Sequence, residues 1–349
     1  MKTYFSTFIT GTQDIVKEFL IKRRAKIKLL LDGLVVYESG YSEREIRNFY
    51  IFNNTFLLLR FFSDFTSNIQ SLEKILAIVI YDKNIHRQIF TNLPPRRRNF
   101  RIVASLENRM VSVSRTLLRE LESVILRIRG MRLNIKKPDL EFWILLRREG
   151  YGFFGIRITY PFHEESYRKK GELRKEIAYI MSFISKPNPE DIVIDPFAGH
   201  GTIPLERAKS FPYKKIIAVD KDKNLVFRLK QKFKEHKKKI NIIHGDALDL
   251  NDVENSSVDK IISDPPWGEY EKISDPGKFY ETTLKEFDRI LKPDGVIVLL
   301  IGAKEVFESV LQNKFVDTFF LKRKYDILVS GKKAALYQII RNHGNKHKS

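Results

Sequence analysis

Across 349 residues the chain carries 63 Lys and Arg against 43 Asp and Glu, a formal net charge of +20, with 43% hydrophobic residues and no cysteine. That length exceeds one ordinary core of about 100–200 residues, so two or three modest domains are expected. The missing thiols exclude a disulfide framework, a thiolate zinc site and a cysteine nucleophile and favour an intracellular protein, while the surplus of basic groups points to a polyanionic partner.

In the opening segment Gly11, Gln13, Asp14 and Lys17 interrupt any secretory core, and no apolar run approaches the ~18–20 residues of a bilayer crossing. A soluble, cytoplasmic protein with no membrane association is expected. Tyr4 to Thr7, Lys28 to Leu31, Val35 to Tyr37 and Phe56 to Leu59 read as strands, with a helix through Ile15, Phe19 and Leu20. Pro94 and Pro95 break the chain, and Arg96, Arg97 and Arg98 follow as a basic cluster. A strand from Phe100 to Ala104 leads to an amphipathic helix over 112–129, with Val113, Leu117, Leu121, Val124 and Ile128 on one face. Phe142 to Leu146 and Phe153 to Ile158 then form a hairpin around Gly150. The basic surplus is regional: residues 1–190 hold 34 Lys/Arg and 20 Asp/Glu, residues 191–349 hold 29 and 23. The front half is therefore the expected grip on the polyanion; a merely solvated basic surface is the alternative.

A linker near Pro161 and a helix over 173–184 lead to strict alternation of strand and helix, the pattern of a parallel sheet covered on both faces. Five strands are expected, at 192–194, 216–219, 240–244, 258–263 and 296–300. Ligands of such sheets bind beyond the carboxyl ends of the strands, where the strand order reverses. The first strand runs into Asp195-Pro196-Phe197-Ala198-Gly199-His200-Gly201-Thr202, whose glycines let backbone approach a ligand closely. Asp220, followed by Lys221, ends the second strand and is placed to accept from both hydroxyls of a ribose, while Asp246 and Ala247 after the third are placed to read an adenine. Pro204 stands where a dinucleotide fold has its third glycine, and the loop lacks a phosphate-binding lysine, so adenosine recognition without phosphate recognition is expected and an NAD-linked oxidoreductase is disfavoured.

The fourth strand ends in Asp264-Pro265-Pro266-Trp267-Gly268. An exocyclic amine on a base is a poor nucleophile because its lone pair is delocalised into the ring. The Asp264 carboxylate and the Pro265 carbonyl can accept the amine hydrogens and direct the lone pair toward a methyl donor; Pro266 stiffens the turn and Trp267 offers a face for stacking. No metal is required.

With these loops the chain resembles the class I S-adenosylmethionine-dependent methyltransferases of the amino-methylating type, and more closely the THUMP-domain tRNA guanine-N2 methyltransferases. In the front half Tyr4 to Thr7, Gly11, Asp14-Ile15, 100–104, Pro138 to Leu140 and 155–159 carry that likeness. The resemblance implies a Rossmann-like methyltransferase domain with a seven-stranded, mostly parallel sheet (189–341), preceded by a ferredoxin-like α+β domain (1–62), a THUMP RNA-binding domain (63–160) and a linker with a helix (161–188), and followed by a basic tail (342–349). It implies S-adenosyl-L-methionine as cofactor and tRNA as partner. The segment 167–174, with Leu173 and Arg174, is expected to help close the cofactor site, and Arg96, Arg97, Arg98, Arg101, Lys136 and Lys137 are the expected RNA contacts. Trp267 stands where the family often has Tyr or Phe, which keeps adenine-N6 methylation of RNA or DNA open. A non-catalytic RNA-binding protein on the same fold is the alternative of another class. Which nucleotide is modified, mono- or dimethylation, and monomer or homodimer are left open by the residues.

Overall fold

The computed structural model describes residues 1–93, 98–159, 171–236, 238–268, 273–329 and 331–342. The chain forms two compact units: Met1–Thr7, Leu20–Phe49 and Asn54–Pro161 make the first, Phe8–Phe19, Tyr50–Asn53 and Phe162–Ser349 the second.

The elements of the front half are β1 (Lys2–Thr7), α1 (Gln13–Lys22), β2 (Lys26–Leu31), β3 (Leu34–Ser39), α2 (Glu43–Ile46), β4 (Asn54–Phe62), α3 (Ile69–Tyr81), α4 (Lys83–Asn92), β5 (Asn99–Leu106), β6 (Arg109–Met110), α5 (Arg115–Leu126), β7 (Arg132–Leu133), β8 (Leu140–Leu146) and β9 (Gly152–Arg157). The strands join in one nine-stranded sheet of order β2-β3-β1-β4-β9-β8-β5-β6, with β7 paired to β5. The antiparallel pairing of β4 with β9, from Phe56 opposite Arg157 to Phe62 opposite Gly152 with an irregularity between Leu58 and Arg60, joins strands from both sides of position 62 in one sheet. On it Phe5 stacks on Phe56 at 4.5 Å and on Phe153 at 5.1 Å. Two helices, α3 and α4, fill the stretch that the sequence reading left without elements. Leu72, Ile75, Leu76, Val79 and Ile80 form the buried stripe of α3, a 3.6-residue period. Its start is capped where Asn68 Oδ1 accepts the Ser71 N–H at 2.8 Å, and α4 starts on the carboxylate of Asp82.

The second unit contains α6 (Lys175–Ile184), β10 (Ile192–Asp195), α7 (Thr202–Ser210), β11 (Lys215–Asp220), α8 (Lys223–Lys232), β12 (Ile240–His244), β13 (Val258–Ser263), α9 (Pro276–Ile290), β14 (Leu291–Ile301), α10 (Lys304–Lys314), β15 (Phe319–Val329) and β16 (Lys332–Arg341). The seven strands are ordered β12-β11-β10-β13-β14-β16-β15. From β12 to β14 neighbours are parallel; β16 is antiparallel to β14 and to β15. Val219, Ile261, Leu284, Phe287, Leu299, Phe307 and Tyr337 form part of its buried core, and at about 25 cal/mol per Å² such burial dominates the stability of the unit. After β10 the chain moves to one side of the sheet for β11 and β12, then returns to the other for β13 and β14. The strand order therefore reverses between β10 and β13, which opens a crevice at their carboxyl ends. Residues 8–19 belong to this unit too: Phe19 meets Tyr179 and Phe183 of α6 edge-on at 6.1 and 5.8 Å. No helix among the described residues is long and apolar enough to cross a membrane.

Candidate active site

The loops after β10, β11, β12 and β13 all lie at the same edge of the parallel sheet. Asp195, the last residue of β10, is 2% exposed. Its Oδ1 accepts the Ser263 hydroxyl at 2.6 Å and the Phe197 N–H at 3.2 Å, and Phe197 N also donates to Ser263 Oγ at 3.3 Å. Burial, opposed by those hydrogen bonds, and then the charges of Asp264 and Asp220 push the Asp195 carboxyl up to about 7. Ser263 was not singled out in the sequence; its position as last residue of the strand beside β10 was the available signal. In the same loop Pro196 and Ala198 are buried and Phe197 is half-buried, its ring 5.8 Å from Phe279 at the start of α9.

The two glycines of the first loop have different reasons to be glycine. Gly199 has φ +51 and open space beside it, the nearest atom to an added Cβ being Phe197 O at 4.0 Å; this is a cradle into which a ligand fits. Gly201 has φ +73 and would drive a Cβ to 2.4 Å from Leu229 Cδ2, so it is required by the packing of α7, which begins at Thr202, against α8. Asp220 holds the cradle: its Oδ2 accepts the Gly199 N–H at 2.7 Å and its Oδ1 the Asp222 N–H at 2.9 Å. Each oxygen keeps a second lone pair, which is what two ribose hydroxyls need. Lys221 is exposed, and its carbonyl lies 3.1 Å from His244 Nε2. Asp246 is exposed and accepts the Leu248 N–H at 2.9 Å, whereas Ala247 beside it is buried.

At the end of β13 the Trp267 indole N–H donates to Asp264 Oδ1 at 2.9 Å. Withdrawal from water pushes the Asp264 carboxyl up to about 7, and the indole bond works against that shift. Pro265 is buried and Pro266 half-buried. Tyr280 of α9 is 1% exposed; its phenol, pushed up to about 12 by burial and then by the charge of Asp264, has no hydrogen-bond partner among the described residues. Gly302, directly after β14, lies against the indole: a Cβ there would stand 2.6 Å from Trp267 Cδ2. Sequence reasoning passed over Tyr280 and Gly302, since nothing in a sequence shows which residue a loop's aromatic ring rests on.

Leu173 is half-buried ahead of α6, and the Arg174 guanidinium is held by Glu176 at 3.3 Å and by Asn53 Oδ1 at 3.0 Å; residues 167–170 and Pro161 lie outside the described residues, as do Arg96 and Arg97. Of the expected RNA contacts in the front unit, Arg98 is half-buried beside Gly130. Arg101 is committed to the fully buried Glu141, with Nε to Oε1 at 2.6 Å, and Arg157 and the Trp143 indole share the other carboxylate oxygen at 3.3 and 2.7 Å. Lys136 and Lys137 are exposed.

Residues 164–325 match the model of the UPF0020 family, described as an RMKL-like methyltransferase domain. The human U6 snRNA (guanine-N(2))-methyltransferase THUMPD2 is 31% identical over 176 residues, 50% of this chain and 34% of that protein. The human tRNA (guanine(6)-N(2))-methyltransferase THUMP3 is 30% identical over 214 residues, 54% and 40% respectively. The chain thus spans less than half the length of the curated relatives it matches. Among solved structures TrmN from Thermus thermophilus has a TM-score of 0.77 at 19% identity, covering 98% of this chain and all of that one, and SMU.472 complexed with SAH has a TM-score of 0.68 at 15% identity over 98% and 99%. These likenesses establish the fold across nearly the whole chain. Over residues 164–325, a little under half of the chain, the protein is therefore similar to the RMKL-like methyltransferase domain, and it has the fold of these solved structures.

Proposed function

We propose that the protein is an S-adenosylmethionine-dependent methyltransferase that methylates the exocyclic N2 of a guanine in tRNA. The observation that carries the reading is the Asp264 carboxyl at the end of β13, bonded to Trp267 through one oxygen and so keeping the other for an amine. The open cradle at Gly199 and the Asp220 carboxylate fit an adenosine, and the cluster of Asp195, Asp220 and Asp264 suits a sulfonium cation. When bound, S-adenosylmethionine supplies an electrophilic methyl group. Asp220 would hold the ribose, with Asp246 and the Ala247 N–H at the adenine and Lys221 on the rim. Residues 195–202 would wall the cofactor, with Leu173 and Arg174 closing it. Asp264 Oδ2 and the Pro265 carbonyl accept the two amine hydrogens, Pro266 keeps the turn rigid, and Trp267 supports the base.

The RNA reading rests on the basic surplus of the front half and on the guanine-N2 activity named for the two relatives. Phosphate contacts fall to Arg98, Lys136 and Lys137, with Arg96 and Arg97 from the sequence; Arg101, tied to Glu141, contributes through the shape of the sheet. The test is transfer of labelled methyl to unmodified tRNA, with the product nucleoside identified by mass. N2-methylguanosine is expected. N6-methyladenosine would replace guanine by adenine, and no transfer to any RNA would overturn the reading.

A further inference from the structure

Three sites in the described residues hold unusual chemistry outside the cofactor cradle: the buried Asp191–Arg207 pair, the Glu141 cluster, and the contact of Trp267 with Gly302. In the first, Arg207 Nη2 donates to Asp191 at 2.9 Å and Nη1 to the Pro212 carbonyl at 2.6 Å. That pair ties α7 to the chain before β10. In the second, both oxygens of Glu141 are taken by Arg101, Arg157 and Trp143. The third places an unassigned residue in the proposed reaction.

Gly302 follows β14 with a backbone angle open to any residue, since it is absent from the positive-φ positions. A Cβ on it would stand 2.6, 2.7 and 2.9 Å from Cδ2, Cε3 and Cγ of Trp267. Those atoms belong to the root and fused edge of the indole, so the ring cannot yield by swinging a distant tip. The glycine is therefore required by the ring. With the ring seated there, its Nε1 reaches Asp264 Oδ1 at 2.9 Å. One donor on one carboxylate oxygen fixes the rotation of the whole carboxyl group, and it favours the ionised form that accepts hydrogen bonds. Phenylalanine or tyrosine at 267 would offer a face but no N–H at that place.

We propose that Gly302 and Trp267 act together as positioning residues: the bare backbone of Gly302 seats one face of the indole, so that its N–H aims the Asp264 carboxyl at the target amine while its other face receives the base. This rests on the reading of the site as an amino-group methyltransferase. It makes tryptophan at 267 specifically required. The acid limb of the rate profile reports on Asp264, because loss of the indole donor destabilises its ionised form. Among the described residues Asp195 and Tyr280 are the other titratable groups that couple to the charge of Asp264, so Asp195→Asn and Tyr280→Phe serve as the controls for their shares.

The experiment has two arms. In the first, kcat and KM for tRNA are measured from pH 5.5 to 9 for the unaltered protein, Gly302→Ala, Trp267→Phe and the double variant. The two single variants should lower kcat about tenfold more than they change KM, displace the acid limb upward by about half to one pH unit, and recover partly in alkali. The double variant should be no worse than the worse single one. An unmoved acid limb in Trp267→Phe overturns the proposal, even if Gly302→Ala fails to fold. The second arm needs no turnover. Trp143→Phe leaves Trp267 as the sole tryptophan of the two in the chain, and its emission should show a transition near pH 7 that Asp264→Asn abolishes and Asp195→Asn retains. Gly302→Ala should shift that emission and raise quenching by acrylamide; no change would overturn the seat. Absence of methyl transfer by the unaltered protein defeats the methyltransferase reading, and the emission arm then still decides whether the indole is seated on Gly302 and bonded to Asp264.

Discussion

Ser263 donates its hydroxyl to Asp195 Oδ1 at 2.6 Å, and this bond joins the carboxyl ends of the two strands between which the strand order reverses. Replacing Ser263 by alanine leaves a buried carboxyl without its shortest donor, at a cost of about 1–3 kcal/mol. At roughly 2–4 °C per kcal/mol for a unit of this size, the Tm of Ser263→Ala should fall by several degrees. A melting curve unchanged within a degree would show that the bond does not bind the strand ends.

The pH dependence of stability has a definite sign. Asp195 is raised from an ordinary value of 3.8 to about 7 in the folded protein, so between those values the folded state holds more protons than the unfolded one. Its contribution is full below about pH 4 and is lost as pH rises through 7. The same holds for Asp264. Thermal unfolding should therefore occur at higher temperature at pH 6 than at pH 8, and Asp195→Asn should flatten that slope. An equal slope in the variant would assign the dependence to other groups.

For Asp264, truncation to alanine should lower the methylation rate about a hundred- to a thousandfold with little change in tRNA affinity. Asparagine has one acceptor oxygen where the carboxylate has two, and the Trp267 N–H claims it. Asp264→Asn should fall between alanine and the unaltered protein, and full activity in the alanine variant would remove Asp264 from the reaction.

Asp220 is expected to matter twice, through the ligand and through the Gly199 N–H it accepts at 2.7 Å. By calorimetry Asp220→Ala should weaken S-adenosylmethionine binding by roughly 2–4 kcal/mol. Asp220→Asn, which retains one acceptor for the loop, should lose less. Unchanged affinity in both would move the cofactor away from β11.

Charge reversal at Lys136 and Lys137 should weaken tRNA binding and reduce its salt slope by about one unit per lost phosphate contact, without altering cofactor affinity. Arg101→Glu tests something else: it confronts the buried Glu141 with a like charge and should lower the melting temperature of the front unit before it alters any salt slope. A salt slope identical across all three variants would place the RNA elsewhere.

The rear sheet was legible because each parallel strand is a short apolar run ending in a marked loop, and both features are local. Its last two strands were not read residue by residue: β15 exposes Lys322, Arg323 and Lys324 among its apolar positions, so its alternation is overwritten by charge. Helix α3 was not legible although its stripe from Leu72 to Ile80 is regular, because the run from Ile75 to Tyr81 is apolar on its exposed side too, at Ile78 and Tyr81, which masks the period. Within the site the acidic loop ends were readable as residue types at strand termini. The differing roles of Gly199 and Gly201, the bond from Trp267 to Asp264 and its seat on Gly302 depend on side chains brought together from distant positions, which no spacing encodes. The commitment of Arg101 to Glu141, forty residues away, escaped for the same reason.

Residue 11 touches residue 326: a Cβ on Gly11 would fall on the carbonyl of Asp326, and residues 8–19 are grouped with the end of the chain. During synthesis this early segment leaves the ribosome before β15 exists, so the part of its packing surface that β15 supplies must wait for about three hundred residues to follow. Closing so long a loop is slow compared with forming the local hairpin of β15 and β16. Phe19 can already be covered by α6, but until β15 forms the backbone around Gly11 lacks its neighbour and is prone to wrong partners. The early segment is thus among the last parts to find its final contacts, and the second unit is completed by residues made long before β15.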